Sequence, residues 1–245
     1  VKHNKIFIIP ARKGSKCLPG KNVKVLGDKP LIAYSIEFAK LVCAQDDTIC
    51  VTTDDKEVIK IANELGIATP FLRPDDLSTD SANTYQVIRH AIEFYKSIGK
   101  TFDTIVLLQP TSPFRLMTDF VEMEKIYFSK NPDMVVSVKL SKESPYFTLF
   151  EEDANGFLNK FIDDKLSNYR QRQDCPPVYT YNGSIYMVNC KSFIEKGTFD
   201  FDHKLKYVMP DSRSIDIDTQ ADWVLTEFYL NVSNENSTGN SKVRH

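Results

Sequence analysis

The stretch Ile6-Phe7-Ile8-Ile9-Pro10-Ala11-Arg12-Lys13-Gly14-Ser15-Lys16-Cys17-Leu18-Pro19-Gly20-Lys21-Asn22 decides the fold. The apolar run Ile6 to Ile9 reads as a first β-strand. It empties into a loop that holds Arg12, Lys13, Lys16 and Lys21 together with Gly14, Ser15 and Gly20. Backbone amides in a Gly/Ser turn, with cations beside them, suit a polyphosphate. Ligands of open α/β sheets bind at the carboxyl ends of the strands, where this loop falls. The alternative is a solvated basic turn. The loop departs from the common P-loop pattern. Gly14 and Gly20 are one residue too far apart, and Asn22 follows Lys21 where a Ser or Thr is needed. A G-x-G-x-x-G dinucleotide fingerprint is also missing.

The whole chain sets outer limits. Its 245 residues fit one large α/β domain, with or without a small arm. A net charge of -2 gives no basic field for nucleic acid. Locally, Arg12, Lys13, Lys16, Lys21, Lys24 and Lys29 are opposed only by Asp28, which suits a compact anion. No apolar run is long enough to span a bilayer, and the start has no signal-peptide core, so no membrane partner is expected. The five cysteines form no C-x-x-C pair, and reduced thiols in a cytoplasmic setting are expected. Sequons at Asn182, Asn231 and Asn236 read as chance, and the four scattered histidines show no zinc spacing.

Strand and helix signals alternate from the first strand onward. Helices are expected over Leu31–Val42, Lys56–Leu65, Asn83–Ile98, Thr118–Phe128 and Gln220–Leu230. Strands are expected over Thr48–Thr53, Ile67–Leu72, Thr104–Leu108, Met134–Val138, Gly183–Val188 and Ser214–Asp218. This alternation argues for a mainly parallel sheet with helices on both faces. Residues 1–138 and 182–230 form the α/β domain. Residues 139–181 break the rhythm and read as an inserted arm. The polar tail 231–245 lacks periodicity, so disorder is expected there.

Four further stretches carry candidate chemistry. In Ser214-Ile215-Asp216-Ile217-Asp218-Thr219, strand alternation puts both carboxylates on one face and both isoleucines behind. Two such carboxylates can hold magnesium together with phosphate oxygens. Alternatively, Asp218 caps the next helix. Gln109-Pro110-Thr111-Ser112-Pro113-Phe114-Arg115 follows an apolar strand, so it shares the rim of the first loop. Leu72-Arg73-Pro74 and Leu77 to Thr84 form a third rim loop able to read a base edge, or else to cap a helix. Arg170, Arg172 and Gln173 lie at the end of the arm, where a bidentate arginine suits a carboxylate.

Taken in order, IIPARKGSK..PGKN, LRP..LSTD, LQPTSPFR, RQDCPPVYTYNGSIY and SIDIDT resemble CMP-sialic acid synthetases, the N-acylneuraminate cytidylyltransferases. The likeness runs from Ile6 to about Leu230. It implies a Rossmann-like nucleotidyltransferase three-layer sandwich and a homodimer formed through the inserted arm. It implies CTP and a nine-carbon α-keto acid sugar as substrates, with CMP-sugar and pyrophosphate as products. Arg12, Ser15, Lys16, Lys21 and Asn22 would then hold the phosphates, and Arg73, Ala82 and Thr84 the cytosine. Gln109, Arg172, Gln173 and Tyr186 would serve the sugar, with Arg172 reaching the neighbouring protomer. Asp216 and Asp218 would bind Mg2+, with Mn2+ as a substitute. Cys17 departs from the usual Gly, and a side chain there restricts the backbone. Enzymes acting on legionaminic, pseudaminic or 3-deoxy-octulosonic acid fit the same pattern. A non-catalytic nucleotide-binding protein is the remaining alternative.

Overall fold

The computed structural model describes residues 3–15, 17–162 and 169–239. The elements run β1 (Lys5–Pro10), a small hairpin of β2 (Val25–Leu26) and β3 (Lys29–Pro30), α1 (Leu31–Val42), β4 (Thr48–Thr52), α2 (Lys56–Glu64), α3 (Thr84–Ser97), β5 (Thr104–Leu107), α4 (Met117–Lys130), β6 (Met134–Leu140), a hairpin of β7 (Phe150–Glu152) and β8 (Leu158–Lys160), β9 (Tyr179–Asn189), α5 (Cys190–Lys196), β10 (Lys204–Val208) and α6 (Gln220–Gly239).

Side-chain alternation on the strands builds three layers. On β1, Phe7 and Ile9 join one core with Ile32, Ile36 and Ala39 of α1, Val58 and Ala62 of α2, and Phe120 and Met123 of α4. Ile6 and Ile8 point the other way, into a second core with Ile88, Ala91 and Ile92 of α3 and Phe193 of α5. A third cluster gathers Trp223 of α6 with Leu18, Leu26, Leu31, Ile215 and Ile217, and it closes one end of the molecule.

The main sheet has the order β10-β6-β9-β5-β1-β4. β1 runs parallel to β4 and β5, and β10 runs parallel to β6. β9 lies between β5 and β6 and is antiparallel to both. The sheet is thus mainly parallel, as the alternation implied, with one reversed strand.

Four local expectations differ from the structure. Ile67–Leu72 forms no strand and leaves β4 as the sheet edge; Pro70 within it has no N–H to give a ladder. Ser214–Asp218 is irregular chain rather than a strand. Its backbone tie to the loop after β5 runs from Ile217 N–H to the Thr111 carbonyl, at 2.9 Å. The tail was expected to be disordered from Asn231, yet α6 continues to Gly239. Extending an existing helix needs no new nucleus, so a polar sequence can continue it. The arm boundary also shifts, since β6 and β9 stay paired to Leu140 and Tyr179. The hairpin β7–β8 lies within the arm. Residues 163–168 and 240–245, and Lys16, are outside the described residues.

β9 carries the feature that shapes the site. Its pairing with β6 jumps from Val136↔Tyr186 to Val138↔Tyr181, which is a β-bulge at Asn182–Ile185. Ser137 Oγ fills the gap, donating to Asn182 Oδ1 at 2.6 Å and accepting from Ile185 N–H at 2.8 Å. Asn182 Nδ2 donates to Ser214 Oγ at 2.9 Å, and Ser112 Oγ donates to the Asn182 carbonyl at 2.9 Å. One bulge therefore ties together the loops after β5 and before α6. Asn182 is 1% exposed, so its sequon is inaccessible in the fold.

Gly183 sits in the bulge at φ +70°. A methyl group built on it would lie 2.9 Å from Gln109 Oε1, 2.9 Å from Ser112 Oγ and 3.3 Å from Asp216 Oδ2. Gly183→Ala is expected to cost ~1–2 kcal/mol from the left-handed backbone alone, and more from crowding, read as a lower urea midpoint.

Candidate active site

A cavity of about 490 Å3 opens at the carboxyl ends of β1 and β5. Arg12, Ser15, Lys21, Asn22, Arg73, Ala82, Thr84, Gln109 and Asp218 all line it. These residues come from stretches more than 200 positions apart in sequence, and the strand ends bring them to one place.

Local hydrogen bonds set the first loop. Asn22 is buried and donates from Nδ2 to the Arg12 carbonyl at 3.0 Å. Lys13 N–H donates to Asp54 Oδ1 at 2.8 Å, tying the loop to the end of β4. Cys17 also lines the cavity.

The basic stretch is less isolated in space than in sequence. Arg12 Nη1 donates to Asp80, and Lys21 Nζ donates to Asp218 Oδ1 at 3.0 Å and to the Ile217 carbonyl at 2.8 Å. Lys29 bonds Glu37, and Lys24 stacks over the Trp223 ring at 4.2 Å. Acidic groups remote in the chain thus meet the cations and aim Arg12 and Lys21 into the cavity.

Arg73 is 3% exposed. It donates through Nη2 to the Thr52 carbonyl and through Nε to Thr52 Oγ1 at 3.2 Å. Burial pulls its pKa down to about 10, so it stays charged near neutrality. Thr84 opens α3, which is capped by Asn83 Oδ1 accepting from Tyr85 N–H at 2.9 Å. Asp80 is therefore not the cap of that helix.

The two candidate metal carboxylates have different surroundings. Asp218 is exposed, lines the cavity and pairs with Lys21. Asp216 does not line that cavity. It borders a neighbouring one of about 410 Å3 with Lys139, Thr180, Ser214 and Asp222, and it approaches Gln109 across Gly183. The shared face expected from a strand gives way here, because the segment has no ladder to enforce alternation. The isoleucines do pack behind, in the Trp223 cluster. Burial raises the Asp216 pKa, and the nearby Asp218 charge adds to this against a hydrogen bond from Thr111. Asp216 Oδ1 is buried without a hydrogen-bond partner.

Asp218 does not cap α6. Thr219 does so, with Asp222 Oδ2 accepting from Thr219 N–H at 2.7 Å and from Thr219 Oγ1 at 2.8 Å. Asp222 N–H donates back to Thr219 Oγ1 at 3.3 Å, completing a capping box. Asp218 is left available for Lys21.

Three sugar-side candidates lie elsewhere. Arg172 and Gln173 line a cavity of about 460 Å3 within the arm, with Leu140, Ser144 and Pro176. Tyr186 is held in β9 opposite Leu107 and Val136 and does not line the first cavity. Burial raises its pKa to about 12, with Asp216 adding to the shift. Sequence reading missed the roles of Asn182, Gly183 and Asp80. The chain signals were an Asn-Gly pair inside an apolar strand and an Asp among hydroxyls.

A three-layer α/β sandwich with this cavity at its strand ends is the architecture of a nucleotidyltransferase. A family profile described as cytidylyltransferase matches residues 6–222. CMP-N,N'-diacetyllegionaminic acid synthase of Legionella pneumophila is 35% identical over 235 residues, covering 94% of this chain and 97% of the relative. N-acylneuraminate cytidylyltransferase of Escherichia coli is 36% identical over 221 residues, covering 90% of this chain but 50% of the relative. A solved CMP:2-keto-3-deoxy-manno-octonic acid synthetase complexed with CTP superposes with a TM-score of 0.65 at 16% identity. The superposition covers 95% of this chain and 99% of that one, and supports the fold. The chain belongs to the cytidylyltransferase family, within the group of CMP-sialic acid synthetases and their near relatives. No helix among the described residues is long and apolar enough to cross a membrane.

Thr219→Ala removes the cap of α6 beside Asp218 and is expected to cost ~0.5–2 kcal/mol, measured as a lower denaturation midpoint.

Proposed function

We propose that this cytidylyltransferase joins CMP from CTP to the anomeric hydroxyl of a nonulosonic acid and releases pyrophosphate. The observation that carries this reading is the gathering of Arg12, Ser15, Lys21, Arg73, Thr84, Gln109 and Asp218 around one cavity. They come from the ordered stretches through which the chain resembles its family.

In this reading Arg12, Ser15, Lys21 and the loop amides bind the triphosphate, with Lys16 as a further candidate. Asn22 fixes the Arg12 backbone rather than touching the ligand first. Arg73, Ala82 and Thr84 form the wall toward the base. Gln109 orients the sugar beside the α-phosphate. Homodimerisation through the arm would bring Arg172, and with it Gln173, toward the partner's cavity, while Tyr186 backs the sugar side from β9.

The residues fit a divalent cation such as Mg2+, with Mn2+ as a substitute. Asp216 presents a buried carboxylate oxygen without a partner, and Asp218 lies close enough to raise its pKa. Asp216 and Asp218 would hold the ion, which supplies positive charge to a polyphosphate when bound.

The reaction forms one bond and breaks one. The C2 hydroxyl oxygen of the sugar bonds to the α-phosphorus, and the α–β bridging P–O bond breaks. Pyrophosphate leaves with that electron pair, and the hydroxyl proton passes to water. Charge grows on the bridging and non-bridging oxygens, where preplaced Arg12 and Lys21 stabilise it.

Two tests follow from these roles. Arg12→Ala and Asp218→Asn should each lose about 10²-fold or more in turnover while keeping the wild-type thermal transition; full activity in either removes that residue's role. Pyrophosphate release should appear with CTP, magnesium and one of four acids, namely N-acetylneuraminic, N,N'-diacetyllegionaminic, pseudaminic or 3-deoxy-manno-octulosonic acid, and should stop on adding EDTA. CTP binding without release from any of them would favour a binding role.

A further inference from the structure

Arg115 is a buried cation that the proposed chemistry does not use. It is 7% exposed and does not line the nucleotide cavity. No carboxylate is bonded to it among the described contacts. Instead its guanidinium donates to three neutral oxygens on three parts of the fold. Nε reaches the Ser184 carbonyl at 2.8 Å, Nη1 reaches Ser35 Oγ of α1 at 2.9 Å, and Nη2 reaches the Gln109 carbonyl. Burial lowers its pKa to about 9, with the Asp216 charge opposing the shift, so it remains cationic near neutrality.

The positions of these acceptors give the arrangement its meaning. β5 and β9 pair in antiparallel register up to Leu107↔Tyr186. Two residues further along the same register, Gln109 stands opposite Ser184. The ladder has stopped there, because β5 ends and β9 bulges. The guanidinium spans the gap and takes both carbonyls, one from each side. Its planar fork has the geometry for two such acceptors at a fixed separation. That separation matters because Gly183, the neighbour of Ser184, is the surface against which the Gln109 side chain lies.

We propose that Arg115 is a positioning residue for Gln109: it clamps the backbone of Gln109 to that of Ser184 and so holds the Gln109 amide against Gly183 at the cavity floor. The proposal rests on the reading of Gln109 as a group that orients the acceptor sugar. Arg115 itself touches neither substrate.

The test is a double-mutant cycle on the full chain with CTP, magnesium and whichever of the four acids supports turnover. Arg115→Lys keeps the charge but loses the fork, and should lower acceptor kcat/KM by about 10- to 100-fold. CTP affinity, measured without acceptor, should stay within about threefold. In a Gln109→Ala background the same substitution should have little further effect on acceptor use, because the group it positions is gone. Ser35→Ala removes only the bond to α1. It should lower stability and leave acceptor kinetics near wild type.

Each contrary result is distinct. Additive effects of R115K and Q109A, equal loss of CTP and acceptor affinity, or an S35A variant that mimics R115K would overturn the positioning role and leave the functional reading intact. Wild-type acceptor kinetics in Q109A, or no turnover with any of the four acids, would remove the reading of the site and this proposal with it. If R115K does not fold, the Arg115 side-chain resonance in 15N spectra replaces it. It should shift on acceptor binding in the wild type and not in Q109A, and no shift in either overturns the proposal.

Discussion

The bulge in β9 is the constraint on which the rest of the site depends. A strand running antiparallel between β5 and β6 must pair on both edges, and at Asn182–Ile185 it does not. Buried backbone groups left without a ladder partner are costly, so they need substitutes. Ser137 Oγ and Asn182 Oδ1 accept from the Ile185 and Ser184 N–H groups, Ser112 and the Arg115 guanidinium donate to the Asn182 and Ser184 carbonyls, and Ser214 holds the Asn182 side-chain amide. In meeting that requirement, the same groups fasten the loop after β5 and the segment before α6 to the sheet. The polar network that repairs the bulge is also the frame of the cavity.

Electrostatics at the cavity follow from burial at its back and pairing at its mouth. At the mouth, the part-exposed Arg12 is held by Asp80, and the mostly buried Lys21 by the exposed Asp218. Those contacts keep long side chains ordered, though exposed pairs of this kind contribute little to stability. At the back, Arg115 is buried and Asp216 half-buried, and burial disfavours the charged form of each. The Asp216 charge opposes the Arg115 shift, and Asp216 keeps an oxygen without a donor. The cavity thus has paired cations at its mouth, and a carboxylate with an unpartnered oxygen lies behind it.

The acceptor sugar is a separate question from the nucleotide. Arg172 and Gln173 belong to the arm, and within one chain they line a cavity apart from the site. The arm hairpin exposes Phe150, Phe157 and Leu158 to solvent. Relatives with a third or so of residues in common are named for different acids, so overall likeness does not rank them. Discrimination belongs to the few side chains that contact the substituents of the sugar.

Much of this protein was legible in its residues. The apolar strands Ile6–Ile9 and Thr104–Leu108, the helix from Leu31 and the motif loops after the strands are local signals, set by periodicity of two or 3.6 residues and by glycine and proline. Hence the α/β class, and most of the cavity's lining, could be read from the sequence. Strand direction and register were not local. Nothing within Gly183–Val188 says that it runs against its neighbours, and nothing in Ser214–Asp218 says that it lacks a partner. Nor does the chain show that Asp222 with Thr219, rather than Asp218, caps the last helix, or that Asp80 meets Arg12 across 68 positions. The sequence by itself determined which chemical groups the protein carries and on which kind of loop, because propensity and hydrophobic pattern act over a few residues. Only the tertiary structure decided which of them meet, because hydrogen bonds and charges are satisfied by proximity in space, and a bulge of a few residues in β9 sets that proximity.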